Sequence, residues 1–207
     1  MPKKVDHEER RRTIATALWR MAARQGLDNV SLRDVATEAG ISLGQLQHYF
    51  ASRDALLTYA SDHLGDLASQ RIQQRLAETP PDGPPPPRRV LTECARVMLP
   101  LDEESRAGLL VQLAYFSRAV REPRMREPAR RGVPALVALF GSLLSQGVDA
   151  GEVDPALDVE AEAMLLLAEI DGLGSYTLLE VLTPQRAFAL FERRIAALFG
   201  YRGPSSE

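Results

Sequence analysis

Residues 30–57, VSLRDVATEAGISLGQLQHYFASRDALL, leave little choice in how they can fold. Ser31 is placed to cap a helix, and Asp34 follows at the position where a carboxylate accepts from the cap N–H in return. Val35 and Ala36 supply the apolar side of that helix. Ala39-Gly40-Ile41 reads as a turn, because Gly40 takes positive φ at no steric cost and Ile41 supplies the apolar residue that turns back to the core. Ser42 then caps a second helix over residues 43–49, and Ser52 a third. Two short capped helices about a tight glycine turn read as a helix-turn-helix, whose second helix would enter a DNA major groove; such a pair also occurs in many other helical proteins.

On that second helix Leu46 and Phe50 lie four apart and face inward, leaving Leu43, Gln45, Gln47, His48 and Tyr49 on the remaining surface. Glutamine can bind an adenine edge through two hydrogen bonds, a leucine methyl can meet a thymine methyl, and the His-Tyr pair can reach phosphates. Plainer roles stay open. Gln45 is also at N3 of its own helix and can close a capping box with Ser42, and His48 and Tyr49 can pack at a helix end.

Residues 10–57 resemble the N-terminal domain of the TetR family of transcriptional regulators. The resemblance is carried by the helix over 14–26, by Ser31-Leu32-Arg33-Asp34-Val35-Ala36, Ala39-Gly40-Ile41-Ser42 and Gly44-Gln45-Leu46-Gln47-His48-Tyr49-Phe50, and by Ser52-Arg53 and Leu56-Leu57. Gln45 stands where threonine is usual and Gln47 where tyrosine is usual; both are base-reading positions, so they bear on the operator and not on the fold. The DNA-contacting set is therefore Ser31, Arg33, Ser42, Leu43, Gln45, Gln47, His48, Tyr49 and Arg53. Gln45 and Gln47 are the expected base readers, Ser31, His48, Tyr49 and Arg53 position the backbone, and the resemblance implies that Arg33 reaches a guanine edge.

The formal charge of −3 does not oppose a nucleic-acid partner once it is divided. Residues 1–60 carry nine Lys/Arg against seven Asp/Glu, and residues 61–207 carry sixteen against twenty-one, so a positive head joins an acidic body. The single cysteine, Cys94, excludes an internal disulfide and any multi-cysteine zinc site, and is expected to be a small buried apolar residue. No uninterrupted apolar run reaches 18 residues and the N-terminus is polar, so the expectation is a cytoplasmic protein with no membrane span and no secretion signal.

Along the chain, residues 1–7 read as a mobile polar lead-in with Lys3 and Lys4 as phosphate candidates. Ile14, Ala17, Leu18, Met21 and Ala22 recur at helical spacing up to Gly26, with Trp19 beside them as a core or junction residue and Arg10, Arg11 and Arg12 ahead of them. The helix opened by Ser52 carries Leu56, Leu57, Leu64, Leu67, Ile72 and Leu76 and runs to about Glu78. Residues 79–87, ending in four prolines, read as a stiff exposed loop. Further helices are expected over 88–98, 103–121 and 125–147, the last kinked or split at Pro134, and the arginine-rich run over 118–131 reads as a solvated face. Asp158 caps a helix over 159–182 that is apolar on more than one side, and Thr183-Pro184 opens a last helix with Phe188, Phe191, Ile195, Leu198 and Phe199 in one stripe.

Ile170-Asp171-Gly172-Leu173-Gly174, the apolar helix around it, the Thr-Pro break and the terminal amphipathic helix resemble the body of TetR-type regulators, most closely the subgroup of choline-responsive betaine regulators. The resemblance implies that the last two helices form a four-helix interface with their symmetry mates. Met164, Leu167, Ile170, Leu173, Leu178, Phe188, Phe191 and Ile195 are the dimerisation candidates. Spaces between helices of such bundles hold ligands. The pocket candidates are His63, Leu64, Leu67, Met98, Leu113, Tyr115, Phe116, Arg118, Leu139 and Tyr176.

The expected fold is all-α: a three-helix DNA-binding head over residues 1–51 joined to a larger helical ligand-binding and dimerisation body over 52–207. The expected function is sequence-specific repression, with release from a palindromic operator by a small apolar effector; the alternative is a ligand-responsive activator of the same fold. Catalysis receives no support. His7, His48 and His63 lack an HExxH companion set, and neither a phosphate-binding glycine loop nor a G-x-S-x-G elbow occurs, so no metal and no cofactor is expected. An architectural protein has no need of base-edge donors and acceptors on residues 43–49.

Overall fold

The computed structural model describes residues 3–78 and 83–201. Among the described residues there are nine α-helices, one short 3-10 turn and no strand: α1 (Lys3–Gln25), α2 (Leu32–Glu38), α3 (Leu43–Tyr49), α4 (Arg53–Glu78), α5 (Pro87–Met98), α6 (Glu103–Arg121), α7 (Pro123–Asp149), α8 (Val159–Leu178) and α9 (Pro184–Leu198). They form two compact units, one of residues up to 67 with 106–129, the other of 68–105 with 130 onward.

In the first unit, Ile14, Leu18 and Ala22 of α1, Val35 and Ala36 of α2, and Leu46 and Phe50 at α3 share one core with Leu56, Leu57 and Ala60 of α4. Val111, Tyr115 and Ala119 of α6 and Met125 of α7 complete it. Each buried aliphatic or aromatic side chain of this kind contributes roughly 1.5–3 kcal/mol relative to exposure. The second unit packs α5, α8 and α9 on one another around Leu91, Cys94, Phe140, Leu144, Leu166, Ile170, Phe191 and Ile195. Cys94 is buried, and that burial pushes its thiol up to about 11, which suits an inert packing residue.

Helix ends follow their side chains. The Ser52 hydroxyl accepts from Ala55 N–H at 3.1 Å, Asp102 Oδ1 from Ser105 N–H at 2.7 Å, Asp158 Oδ1 from Ala161 N–H at 3.0 Å and the Thr183 hydroxyl from Arg186 N–H at 3.2 Å. Four expectations are corrected. The segment read as a lead-in is helical from Lys3 onward, although the side chains of Lys3 and Lys4 lie outside the described residues. Pro87 belongs to no loop; it is the first residue of α5, where a missing N–H costs nothing, while 79–82 of the expected loop lie outside the described residues. α7 is not split at Pro134, because Pro134 and Arg130 are exposed and water can serve the carbonyl that loses its donor. α8 stops at Leu178 instead of continuing to 182, since Glu180 takes φ of 58° and turns the chain.

One window of α7 is long and apolar enough to span a membrane, with mean hydropathy 1.3. Val137, Phe140, Leu143 and Leu144 of α7 are buried in the second unit's core, while Leu139 is exposed.

Candidate nucleic-acid interface

α2 and α3 have seven residues each, too short to persist alone, so their caps decide whether they form. Ser31 and Asp34 make a reciprocal box: the Ser31 hydroxyl accepts from Asp34 N–H at 3.2 Å, and Asp34 Oδ2 accepts from Ser31 N–H at 2.9 Å and from its hydroxyl at 2.6 Å. Those bonds from Ser31 hold the Asp34 carboxyl below the usual carboxylate range. The far end of α2 is closed by two backbone bonds, Gly40 N–H to Thr37 O at 3.1 Å and Ile41 N–H to Ala36 O at 2.9 Å, with Gly40 at φ of 68°. Ile41 packs against the first unit's core, as its position after the glycine requires.

α3 begins with a second box. The Ser42 hydroxyl accepts from Gln45 N–H at 3.1 Å, and Gln45 Oε1 accepts from Ser42 N–H at 2.9 Å. The capping role left open for Gln45 is therefore occupied: its carbonyl edge is turned to its own backbone and its amide nitrogen remains to donate outward. Gln47 is exposed and makes no hydrogen bond among the described residues, which leaves both its oxygen and its nitrogen for a base edge. Leu46 is buried while His48 is exposed and Leu43 and Tyr49 are half-buried, so α3 keeps one apolar seam and presents a polar surface.

A groove beside α3 is lined by Arg10, Gly40, Ile41, Ser42, Gly44, Gln45, His48 and Tyr49. The His7 ring lies 4.7 Å from the Tyr49 ring and 6.4 Å from that of His48, bringing the start of α1 onto this face. His7 is not among the residues the sequence points to; it stands far from α3 in the chain and no local pattern marks it. Of the three arginines ahead of the apolar stripe, Arg10 lines the groove, Arg12 lies 3.9 Å from Glu8, and Arg11 sits over the rings of Tyr59 (4.2 Å) and Phe50 (5.1 Å). Arg11 is thus a packing cation inside the head and not a free phosphate contact.

The other DNA candidates differ in how far they are committed. Arg33 is exposed, whereas Arg53 is half-buried and donates to the Leu27 carbonyl, pinning the start of α4 to the turn after α1. Its backbone-positioning role is thereby partly internal.

Three pocket candidates have structural duties in the first unit. His63 is buried, stacked at 5.4 Å on Trp19 and at 6.0 Å on Tyr59. Burial, with Arg12 nearby, pushes the His63 imidazole below its usual value, and Asp66 and Glu8 oppose that shift only in part. Burial and a 2.7 Å bond donated to Glu8 push the Tyr59 hydroxyl up to about 12. Tyr115 donates to the Met125 carbonyl at 3.2 Å, and Arg118 lies 2.6 Å from Asp54 and 2.9 Å from Glu122. Leu64, Leu67 and Phe116 are half-buried and Leu113 is exposed in the same unit. Met98, Leu139 and Tyr176 belong to the second unit, the last two exposed, so the ten candidates do not fall in one unit.

The dimerisation set is corrected in one respect. Leu167, Ile170, Leu173, Phe188, Phe191 and Ile195 are buried in the protomer's own second core and offer no free surface. Met164 remains 47% exposed and Leu178 half-buried, and beside them stand Leu165 (58%), Leu179 (70%) and Val181 (69%), which the helical stripe did not single out.

Residues 14–60 match the family described as "Bacterial regulatory proteins, tetR family", and residues 87–200 match "BetI-type transcriptional repressor, C-terminal". The chain is 32% identical over 186 residues to HTH-type transcriptional regulator PksA of Bacillus subtilis, covering 87% of this chain and 84% of that protein. It is 28% identical over 198 residues to HTH-type transcriptional regulator BetI of Burkholderia mallei, covering 84% and 97%. Among solved structures, a TetR-family regulator from Rhodococcus has the same fold with a TM-score of 0.77, 24% identity, and coverage of 93% of this chain and 99% of that one. A transcriptional regulator from Saccharomonospora viridis, solved in complex with choline, has a TM-score of 0.75 at 24% identity and covers 92% and 95%. With its capped α2-turn-α3 presenting a polar helix, and with both head and body matched, the chain belongs to the TetR family of DNA-binding transcriptional regulators, which are not enzymes.

Proposed function

We propose that this regulator is a homodimeric repressor that occupies a palindromic operator through α3 and is released by a small, largely apolar effector. The observation that carries the DNA half of this reading is the exposed polar face of α3, with Gln47 uncommitted inside the protein and Gln45 committed only through its oxygen. Residues 1–51 carry the base-reading helix in this scheme, and 52–207 supply regulation and dimerisation. Gln47 is the principal base reader, Gln45 donates a single bond, Leu43 meets a methyl, and Arg33 reaches a guanine edge. Ser31, Ser42, His48, Tyr49 and Arg10 hold the backbone.

One α3 per chain reads only a few base pairs, so two-fold repetition supplies the affinity and specificity an operator needs. Met164, Leu165, Leu179 and Val181 are the exposed apolar side chains available for that contact. Light scattering should return about twice the 22.8 kDa chain mass, and Leu165→Glu should return the single mass and lose operator affinity. A wild-type protein that stays at the chain mass while binding its operator in full would refute the dimer.

Repression and effector release rest on the family, whose C-terminal match over residues 87–200 is described as a transcriptional repressor. The effector must favour one arrangement of the heads over another, because equal binding to both changes no DNA affinity. Leu64, Leu67 and Phe116, half-buried in the first unit, are the apolar candidates retained for its pocket. Choline is a property of the Saccharomonospora viridis structure and is not carried over. A regulator acting on operator DNA is expected in the cytoplasm. Transcription in vitro from a template carrying the selected operator, with and without the protein, tests the reading: output should fall, and a rise would assign activation instead.

A further inference from the structure

We propose that the corner between α6 and α7 is a second phosphate-contacting element of the DNA-binding head, with Arg121 and Arg124 as its contact residues. The proposal rests on the DNA-binding reading of α3 and extends the footprint to a segment remote in sequence.

The corner is built into the head. Val111, Tyr115 and Ala119 of α6 and Met125 of α7 share a core with Leu46, Phe50, Leu56 and Leu57, and the Tyr115 hydroxyl ties the two helices by donating to the Met125 carbonyl. Its direction follows from the way α4 meets α6. Arg118 lies 2.6 Å from Asp54, the Ser61 hydroxyl donates to Gln112 Oε1 at 3.1 Å, and a Cβ on Gly108 would come within 2.9 Å of Leu64 Cδ1. Numbers rise along α4 as they fall along α6, so the helices are antiparallel. Arg121, three residues and about 4.5 Å past Arg118, reaches the level of Ala51 and Ser52. Those two exposed residues directly follow α3 and its C-cap Phe50.

The four arginines of this corner divide into two classes. Arg118 is held by Asp54 and Glu122, and Arg126 is held against the end of α6, donating to the Ala119 carbonyl at 3.4 Å and to that of Val120. Arg121 and Arg124 are exposed and have neither a hydrogen bond nor an ion pair among the described residues. Of the nearby acids, Glu122 is taken by Arg118, and Glu127 is exposed one turn after Arg124. A solvated face explains exposed arginines anywhere. It does not explain why the unengaged Arg121 stands at the level of the α3–α4 junction, with the equally unengaged Arg124 three residues further along the same corner. An arginine with no internal partner gains the full release of counterions on meeting a phosphate, whereas a paired one must first give up its carboxylate.

The test uses the full chain and a duplex enriched from a random library by the wild type, with a random-sequence duplex beside it. Binding is followed by fluorescence anisotropy across a potassium chloride series for the wild type, for Arg121→Gln/Arg124→Gln and for Arg121→Lys/Arg124→Lys. Removing one arginine–phosphate pair should lower the slope of log K against log salt by about 0.9, so a fourfold rise in salt narrows the gap between wild type and variant by about 3.5-fold per phosphate. The glutamine pair should show this on both duplexes with the ranking of base substitutions unchanged, and the lysine pair should keep the wild-type slope. A glutamine variant with the wild-type slope overturns the proposal, as do lysine and glutamine pairs that weaken binding equally, since that marks a role other than charge. A wild type that binds neither duplex removes the DNA reading itself.

Discussion

Replacing Gln45 and Gln47 by alanine, one at a time, separates two roles that share a face of α3. Gln45 Oε1 accepts from Ser42 N–H at 2.9 Å, so Gln45→Ala removes one exposed hydrogen bond, a loss of roughly 0.5–1 kcal/mol. The better helix propensity of alanine returns a few tenths of a kcal/mol. The net cost of about 0.5 kcal/mol corresponds to a fall in Tm of about 1–2 °C for a chain of this size. Gln47→Ala breaks nothing inside the protein and should leave Tm unchanged or slightly raised. On DNA the order reverses. With both amide atoms free, Gln47 can hold an adenine through two bonds worth roughly 1–3 kcal/mol, a 5- to 150-fold preference at one position of each half-site. Gln45 can only donate from its nitrogen, a single bond worth about 1 kcal/mol or roughly 5-fold. A thermal melt and anisotropy on operator duplexes changed one base pair at a time supply both readings. The reasoning fails if Gln45→Ala leaves Tm alone and flattens base preference more than Gln47→Ala does.

Gly40→Ala should cost about 1–2 kcal/mol in urea unfolding from backbone strain alone, because φ is 68° and an added Cβ meets nothing within 4 Å; a stability equal to wild type would show that the turn relaxes freely. His63, held below its ordinary value of 6.5, binds its proton more weakly when folded, so its contribution is full above 6.5 and is lost as pH falls below it. His63→Gln should therefore flatten that acid limb of the stability profile, and an unchanged limb would assign it to other groups. Arg194→Met strands the buried Glu162 carboxylate and should cost about 3 kcal/mol, most of it recovered by adding Glu162→Gln; a thermal melt with no recovery would count against an ion-pair origin.

Helix positions were legible because their ends are written in local chemistry. Ser31, Ser42, Ser52, Asp158 and Thr183 each cap where a serine, threonine or aspartate precedes an apolar period, and Gly40 closes α2 where a glycine was required. Sequence resolved less where a neighbour is distant along the chain. The periodicity of α8 announces two apolar sides without saying that α9 and α5 take Leu167, Ile170 and Leu173, leaving Met164 and Leu165 outside. Nothing local in His63 marks its stack on Trp19, and nothing in the arginine-rich run separates Arg118 and Arg126, which bond internally, from Arg121 and Arg124. At the DNA face the residue types were readable but their commitments were not: Arg11 went to two aromatic rings and Arg53 to a carbonyl.

The paired boxes at Ser31 and Ser42, with Leu46 and Phe50 as anchors, have a bearing on how such a protein changes over generations. Because the two short helices are secured by their ends and by one seam, the exposed positions 47 and 48 carry little folding obligation. A lineage can exchange those side chains, and so move to a different operator, without first passing through an unstable protein. Position 45 is less free: a newcomer there must either serve the Ser42 amide as Gln45 does or tolerate a frayed start to α3. Drift in DNA preference should therefore run fastest at 47 and slowest at 45.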